Sequence, residues 1–566
     1  MQGATAFLLP KIDTGWGAVP RLIIPDRFAR HQNTNQLKSV VVSDVEGVYL
    51  RTMRNWILAA LVLVVALAAG VARGASRWDR ETSGYFAPVT PENQAEFYAR
   101  SNRYATVRIN LDRTLRRIAP GFLGINLSFF SDTTDVWRTY KIPDTLRYAG
   151  VGAMRFPGGA ETGYYHWRSP GVNGYEDIWE PASQRGKGDP RWGRFQGVWV
   201  PPEKWASNRL FMSIDEYLAQ CRSLGAEPVV GINLSSGAKY ARRADGIQEA
   251  LDLMRHCRDA GYKVTYWYLD NEPWNEGNVN YTFRGNSYAE EVLAYGQAIK
   301  RAFPDARLIC NPTQQDAGSD TIRSFLKTAG SVVDYLDVHW YWDWGKTSFD
   351  RWLDDPPSYG ETINRIQSAC RESGYPGVGL VVLEWNVAPS DWSASFSPAL
   401  YAVIQSNLLL EFLNHHVEIT CLWPLLWRTS RNVWPEQDVF QSIVSSLPPY
   451  ERTLSAEMFR MFSVVRERNL VACESDASRN LVCAAVNDPI SNTATVLLVS
   501  RSPLRRRITF DFMPARSGVA RLEAIPIKDH KVRTENGLSV RDGKVACYVE
   551  PYSFNALTVH LEKGGK

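Results

Sequence analysis

Val264-Thr265-Tyr266-Trp267-Tyr268-Leu269-Asp270-Asn271-Glu272 is an apolar, aromatic run closing on three polar residues. Ser287–Phe303 follows with apolar residues at helical spacing, and Arg307-Leu308-Ile309-Cys310-Asn311 returns to a short apolar run. Strand, helix and strand in that order read as a parallel βαβ unit. Working outward, further strands are predicted at Phe122–Asn126, Ala153–Pro157, Pro228–Leu234, Tyr335–Trp342, Leu380–Asn386 and Ile419–Leu426. Helices are predicted at Ser213–Leu224, Ile247–Ala260, Thr321–Ala329, Glu361–Ser373 and Pro398–His415, with Gly225, Gly261, Gly330 and Gly374 placed as C-caps. Such alternation from about Pro120 to Arg468 predicts a (β/α)8 barrel with insertions.

Beyond Arg468 the pattern changes to short alternating strands: Leu481–Val486, Ala494–Ser500, Arg507–Phe512, Val519–Pro526 and Ser553–Leu561. This is an all-β signature, and Ala105–Ile118 alternates in the same way. The expected organisation is therefore first sandwich strands at 104–118, a catalytic barrel at 119–468 and an accessory β-sandwich at 469–566. Ahead of these lie an upstream tail or mis-assigned start (1–52), a signal peptide or membrane anchor (53–75) and a linker (76–103). The apolar run Trp56–Val71, bracketed by Arg54 and Arg73, is short for a membrane span and precedes the small-residue stretch Ala72-Arg73-Gly74-Ala75. If Met53 is the start, it reads as a cleaved secretory signal; if Met1 is, as an uncleaved tether. Either way the remainder is expected outside the cytoplasm, extracellular or periplasmic.

With 64 Lys+Arg against 60 Asp+Glu and no basic run carrying interleaved aromatics, nucleic acid is not an expected partner. The 20 Trp and 25 Tyr suit carbohydrate, whose C–H faces pack on aromatic rings, although core packing also uses such side chains. Eight Cys without CxxC or Cys/His ligand spacing argue against a zinc site. Only Cys473 and Cys483, in two strand-like stretches joined by a polar turn, invite a disulfide, and two free thiols are the other reading. The sequence is silent on oligomeric state.

Every polar cluster falls at the end of a predicted strand, the face on which barrels carry their chemistry. Glu272 closes the fourth strand beside aromatic rings, an environment that raises a carboxylic acid's pKa and fits it to protonate a glycosidic oxygen. Asn271 before it is placed to bind a sugar hydroxyl; the other reading of Asn-Glu-Pro is a simple turn. Glu384 closes the seventh strand after Val381-Val382-Leu383, where an acid is costly unless it is held among donors or does chemistry. Two carboxyls about 5–5.5 Å apart hydrolyse with retention, and a wider gap admits water and inverts. Arg155 is placed to hold Glu384 ionised, with a structural salt bridge as the alternative. His339, Tyr341 and Trp342 end the sixth strand, and Asn126, Asn233 and Trp423 end the first, third and eighth; all are candidate substrate contacts. The insertion Gly163–Ser207, carrying five Trp, is positioned to roof a cleft, or is pinned by its own rings. No metal and no organic cofactor is expected, since the chemistry needs only two carboxyls and water.

These residues resemble clan A glycoside hydrolases, whose acid/base and nucleophile end strands four and seven. Arg155-Phe156-Pro157-Gly158-Gly159, Tyr165-His166-Trp167-Arg168 and Glu384-Trp385-Asn386-Val387 are similar to motifs of family 51 α-L-arabinofuranosidases. The resemblance implies Glu272 as acid/base, paired with Asn271, and Glu384 as nucleophile. Leu383 departs from that family, which has an acidic residue there, and Asp270-Asn271-Glu272-Pro273 looks like family 44 endoglucanases or family 39 xylosidases. Endo-β-glucanase, xyloglucanase or β-xylosidase activity is thus the alternative within the clan. A non-catalytic carbohydrate-binding barrel is the alternative outside it.

Overall fold

The computed structural model describes residues 104–127, 136–137, 141–168, 177–181, 212–275, 281–314, 318–389, 397–426, 441–445, 449–477, 480–514 and 517–562. The expectations for the tail, the apolar run at 56–71 and the linker lie outside these residues, as does most of the insertion at 163–207. Among the described residues no helix is long and apolar enough to cross a membrane.

After strand β1 (Ala105–Arg117), the chain alternates strands and helices. They run β2 (Leu123–Asn126), α1 (Ile142–Ala149), β3 (Ala153–Phe156), α2 (Ile214–Leu224) and β4 (Glu227–Ile232), then α3 (Ser235–Lys239), α4 (Arg243–Asp259), β5 (Tyr266–Leu269), α5 (Ser287–Ala302) and β6 (Arg307–Cys310). There follow α6 (Ser319–Ala329), β7 (Tyr335–Asp337), β8 (Trp340–Thr347), α7 (Phe349–Asp354), α8 (Gly360–Glu372), β9 (Gly379–Pro389), α9 (Pro398–Asn414), β10 (Thr420–Leu422) and α10 (Leu454–Phe462). The parallel order β10-β2-β3-β4-β5-β6-β7-β9 closes through a β10–β9 pairing, which makes the eight-stranded barrel the sequence predicts. Its interior is packed by Ala153, Val229, Tyr268, Ile309, Val381, Leu383, Ile419 and Cys421.

Local chemistry sets the helix ends. Ser213 and Glu216 form a reciprocal capping box at the start of α2, and Gly225 closes that helix in the left-handed region. Gly330 is the C-cap of α6 as predicted, but not in the left-handed region: its φ is −55°, and the chain continues into a 3-10 turn. Its missing side chain serves packing instead, because a Cβ there would strike the Tyr375 ring. α9 is buried on nearly all sides, as its apolar sequence requires, and packs on β9 of the barrel and on the sandwich strands described next.

The second sheet contains β11 (Asn469–Ser475), β12 (Leu481–Asp488), β13 (Thr493–Ser500), β14 (Arg506–Met513), β15 (Gly518–Pro526), β16 (Arg533–Val540), β17 (Lys544–Val549) and β18 (Ser553–Leu561). Its order is β16-β15-β18-β13-β12-β11-β1-β14-β17. β1 lies inside this sheet, antiparallel to β11 and parallel to β14. Cys473 and Cys483 face each other across the β11–β12 hairpin as free thiols, with their Sγ atoms 3.5 Å apart.

Two predicted strands are cut short. The fourth ends at Leu269 because Asp270 and Glu272 adopt φ of 65° and 41°, left-handed conformations that no strand continues. The sixth breaks after Asp337 and resumes at Trp340.

Candidate active site

The broken ends of the fourth and sixth strands and the unbroken seventh meet at one mouth. A carboxylate oxygen of Glu272, a ring nitrogen of His339 and a carboxylate oxygen of Glu384 all lie within 4.8 Å of one another, and all three residues are buried. Glu384 is gripped from two sides: Arg155 Nη1 donates to its Oε1 at 2.7 Å, and Tyr341 Oη donates to its Oε2 at 2.9 Å. Arg155 is fully buried. Burial works against its charge, but the charges of Glu384 and Asp337 outweigh that penalty and keep it a guanidinium. Its Nη2 donates to Asn271 Oδ1 at 2.5 Å, and its guanidinium stacks 4.3 Å from the centre of the Tyr268 ring. One cation thus ties the polar ends of strands four and seven together. Burial, reinforced by the Glu384 and Glu272 charges, pushes the Tyr341 phenol well above its ordinary pKa, so it stays a donor.

Glu272 has softer partners. His339 Nδ1 stands 2.7 Å from its Oε1, and Asn275 Nδ2 donates to its Oε2 at 2.8 Å. Burial pulls the His339 pKa down; the charges of Glu384 and Asp337, with hydrogen bonds to Asp337 and Glu272, more than reverse this and raise it to about 10. His339 is therefore an imidazolium at neutral pH, with Nδ1 against Glu272 and Nε2 3.0 Å from an Asp337 carboxylate oxygen. The turn that aims Glu272 is fastened by Asp270, whose carboxylate accepts from the backbone N–H groups of Leu234 (3.2 Å), Ser235 (2.7 Å) and Asn271 (2.8 Å). Burial raises the Asp270 pKa to about 6.

The remaining predicted contacts divide. Asn126 is fully buried and spent on the protein: its amide donates to Leu383 O at 2.6 Å and Cys421 O at 3.1 Å, and its oxygen accepts from Arg155 at 3.1 Å. Asn233, just ahead of α3, accepts from Ser236 N at 2.9 Å and donates to Ser236 Oγ at 2.9 Å and Tyr165 O at 3.3 Å. Both were expected to meet sugar; Asn126 is fully enclosed by protein, whereas Asn233 is half-buried and bonded to its neighbours. Trp342 is buried, and half-buried Trp423 packs its ring against Gly159, where a Cβ would come within 2.6 Å of it. Gly159, at φ 76°, and Gly158, whose Cβ would collide with Leu127 O, are thus glycines that neighbouring protein atoms require.

Sequence reasoning missed Asp337, which bonds Leu383 N at 2.8 Å and stands 3.0 Å from His339 Nε2. It also missed a cluster beside the mouth. His166, with no exposed side-chain surface, lies 3.1 Å from Asp177 and 2.8 Å from Glu249. Burial lowers the His166 pKa, while hydrogen bonds to those two carboxylates raise it to about 9. An acid alone inside an apolar run was the available signal for Asp337; no local signal links residues 166, 177 and 249.

A closed parallel barrel bearing two facing carboxylates at the ends of its fourth and seventh strands defines a retaining glycoside hydrolase. Residues 146–356 match the α-L-arabinofuranosidase 1 domain. The chain is similar to an intracellular exo-α-(1→5)-L-arabinofuranosidase of Streptomyces lividans, with 24% identity over 73% of this chain and 67% of that protein. It is also similar to α-L-arabinofuranosidase C of Emericella nidulans, with 27% identity over 35% of this chain, and spans 38% of that relative's length. Its fold superposes on the arabinose complex of α-L-arabinofuranosidase from Thermotoga maritima with a TM-score of 0.59 and 16% identity, covering 81% of this chain and all of the other.

Proposed function

We propose that the protein hydrolyses terminal α-L-arabinofuranosides of plant-type polysaccharides or oligosaccharides by double displacement, with Glu384 as nucleophile and Glu272 as acid/base. The observation that carries this is the approach of a Glu272 oxygen and a Glu384 oxygen to within 4.8 Å, which accords with the short carboxyl separation of retaining enzymes, about 5–5.5 Å, and not with the wider gap of about 6.5–9.5 Å that inversion uses. In the first step a Glu384 oxygen bonds to the anomeric carbon, the glycosidic C–O bond breaks, and the Glu272 proton passes to the departing oxygen. In the second, Glu272 takes a proton from water, the water oxygen bonds to the anomeric carbon, and Glu384 is released. Arg155 and Tyr341 hold Glu384 aimed at the mouth between turnovers.

The test is a panel of nitrophenyl α-L-arabinofuranoside, β-D-xylopyranoside and β-D-glucopyranoside, with proton NMR of the first-formed sugar. Fastest release from the arabinofuranoside with retained configuration is expected. A preference for the xyloside, or activity on polysaccharide alone, would move the assignment to β-xylosidase or endo-glucanase and xyloglucanase chemistry. Binding without turnover throughout would make the barrel a carbohydrate-binding module.

We also propose that the protein acts outside the cytoplasm, from the apolar run Trp56–Val71 and its basic flank. The Streptomyces relative is, by its name, intracellular, so fractionation with N-terminal sequencing of the mature protein is the deciding measurement.

A further inference from the structure

Strand β9 is out of step with both of its neighbours where Glu384 sits. On one side Asp337 faces Val381 and Trp340 faces Trp385, so three steps on β7–β8 oppose four on β9. On the other, Thr420 faces Val382 and Leu422 faces Trp385, two steps against three. β9 therefore carries one extra residue between Val382 and Trp385, a β-bulge. The bulge explains the side-chain directions. Leu383 packs in the barrel interior, yet Glu384, the very next residue, also turns inward to reach Arg155. A regular strand would send consecutive side chains to opposite faces.

A bulged peptide loses its ladder partners, and inside a barrel those groups must be satisfied otherwise. Two buried side chains do this. Asp337 Oδ1 accepts the Leu383 N–H at 2.8 Å, and the Asn126 amide donates to the Leu383 carbonyl at 2.6 Å. The other oxygen of the same Asp337 carboxylate, Oδ2, lies 3.0 Å from His339 Nε2 and 3.3 Å from Asn311 Nδ2. On its far side His339 Nδ1 meets Glu272 Oε1 at 2.7 Å and Glu384 Oε2 at 3.4 Å.

We propose that Asp337 is a positioning residue for both carboxyls: one oxygen pins the bulge that turns Glu384 into the mouth, and the other keeps His339 in its doubly protonated form between Glu272 and Glu384. This rests on the roles assigned above to the two glutamates. The titratable groups facing His339 are Glu272 from the end of the fourth strand, Glu384 from the seventh and Asp337 from its own strand, so Asp337 is the one carboxylate on the Nε2 side among the described residues.

The test is Asp337→Asn, which keeps an oxygen for the Leu383 N–H but presents NH2 to His339 Nε2, so the ring must shed that proton. kcat on the aryl arabinofuranoside is expected to fall about 10²-fold with KM little changed. Both limbs of the pH–rate profile should move to higher pH, because the carboxyl pair loses a neighbouring cation. A merely structural role would not move the profile. Wild-type kcat with an unmoved profile overturns the proposal. Nitrogen-15 NMR of His339 in the wild-type protein gives an independent reading should the variant not fold. Two protonated ring nitrogens at about pH 8 support the assignment, and an unprotonated Nε2 sinks it. If the wild type is inactive on every aryl glycoside, the functional reading fails by itself, and those nitrogen shifts still decide the role of Asp337.

Discussion

The two strand ends that carry the carboxyls are built on different principles. Glu384 sits within a continuous but bulged strand, and its carboxylate is held by charge, with a fully buried guanidinium on one oxygen and a phenol on the other. Glu272 sits past the end of its strand, at φ 41°, and is fixed by backbone geometry, with an imidazolium and an amide as its partners. A left-handed non-glycine residue costs of order 1–3 kcal/mol and persists only where its surroundings impose it. Here the Asp270 carboxylate, clasping three backbone N–H groups, does so. The contrast suits the chemistry proposed: the nucleophile is gripped by a guanidinium, which does not give up its charge, whereas the acid/base meets an imidazolium, a cation that can itself release a proton.

The sharpest way to break this comparison is to remove each carboxyl. Glu384→Ala should lower kcat by more than about 10⁴-fold with native folding, whereas Glu272→Ala should lose about 10²–10⁴-fold. Azide should restore turnover only to Glu272→Ala, on substrates with good leaving groups. Wild-type rates in either variant would end the assignment.

Next in size is Arg155→Met, which strands Glu384 as a buried charge without its partner. A loss of about 3–5 kcal/mol in stability is expected by denaturant titration, with activity falling alongside. An unchanged midpoint would show that Glu384 is not held by charge. Tyr341→Phe removes one hydrogen bond to the same carboxylate and should lower kcat/KM about 10- to 100-fold, with a smaller loss of stability than Arg155→Met, about 1.5–3 kcal/mol.

The smallest effect is expected at His166. Its raised pKa means that the imidazolium stabilises the fold fully below the ordinary histidine value, and that this contribution disappears as pH climbs through about 9. His339, raised to about 10, acts in the same direction. Thermal stability should therefore fall between about pH 7 and about pH 10, and His166→Gln should flatten that fall by a few degrees without abolishing it. An identical slope in the variant would exclude His166 as its source.

The barrel was legible because each strand is a compact apolar run and each helix carries its own stop, as at Gly225. Glu272, Glu384, Arg155, Tyr341 and His339 were legible because strand ends are where a barrel exposes chemistry, and the structure brings all five to one mouth. Asn126 and Asn233 occupy equivalent positions but serve the backbone, since an amide at a strand end satisfies protein groups as readily as sugar hydroxyls. Asp337 was hidden because Tyr335–Trp342 reads as one strand. Only the pairings reveal the break after Asp337 and the extra residue in β9. Single-residue changes of register leave no periodic trace in composition.

The position of β1 bears on how this chain is made and cut. The strand that joins β11 to β14 leaves the ribosome before any barrel residue, while its sheet partners emerge only after the last one. The barrel is in effect threaded between two parts of a single sheet, so both of its ends are moored to the same support. Trimming the protein to residues 119–468 would leave two raw edges behind, and a barrel freed of its companion has to be engineered by replacing the covering it provides to α9 rather than by choosing a cut site.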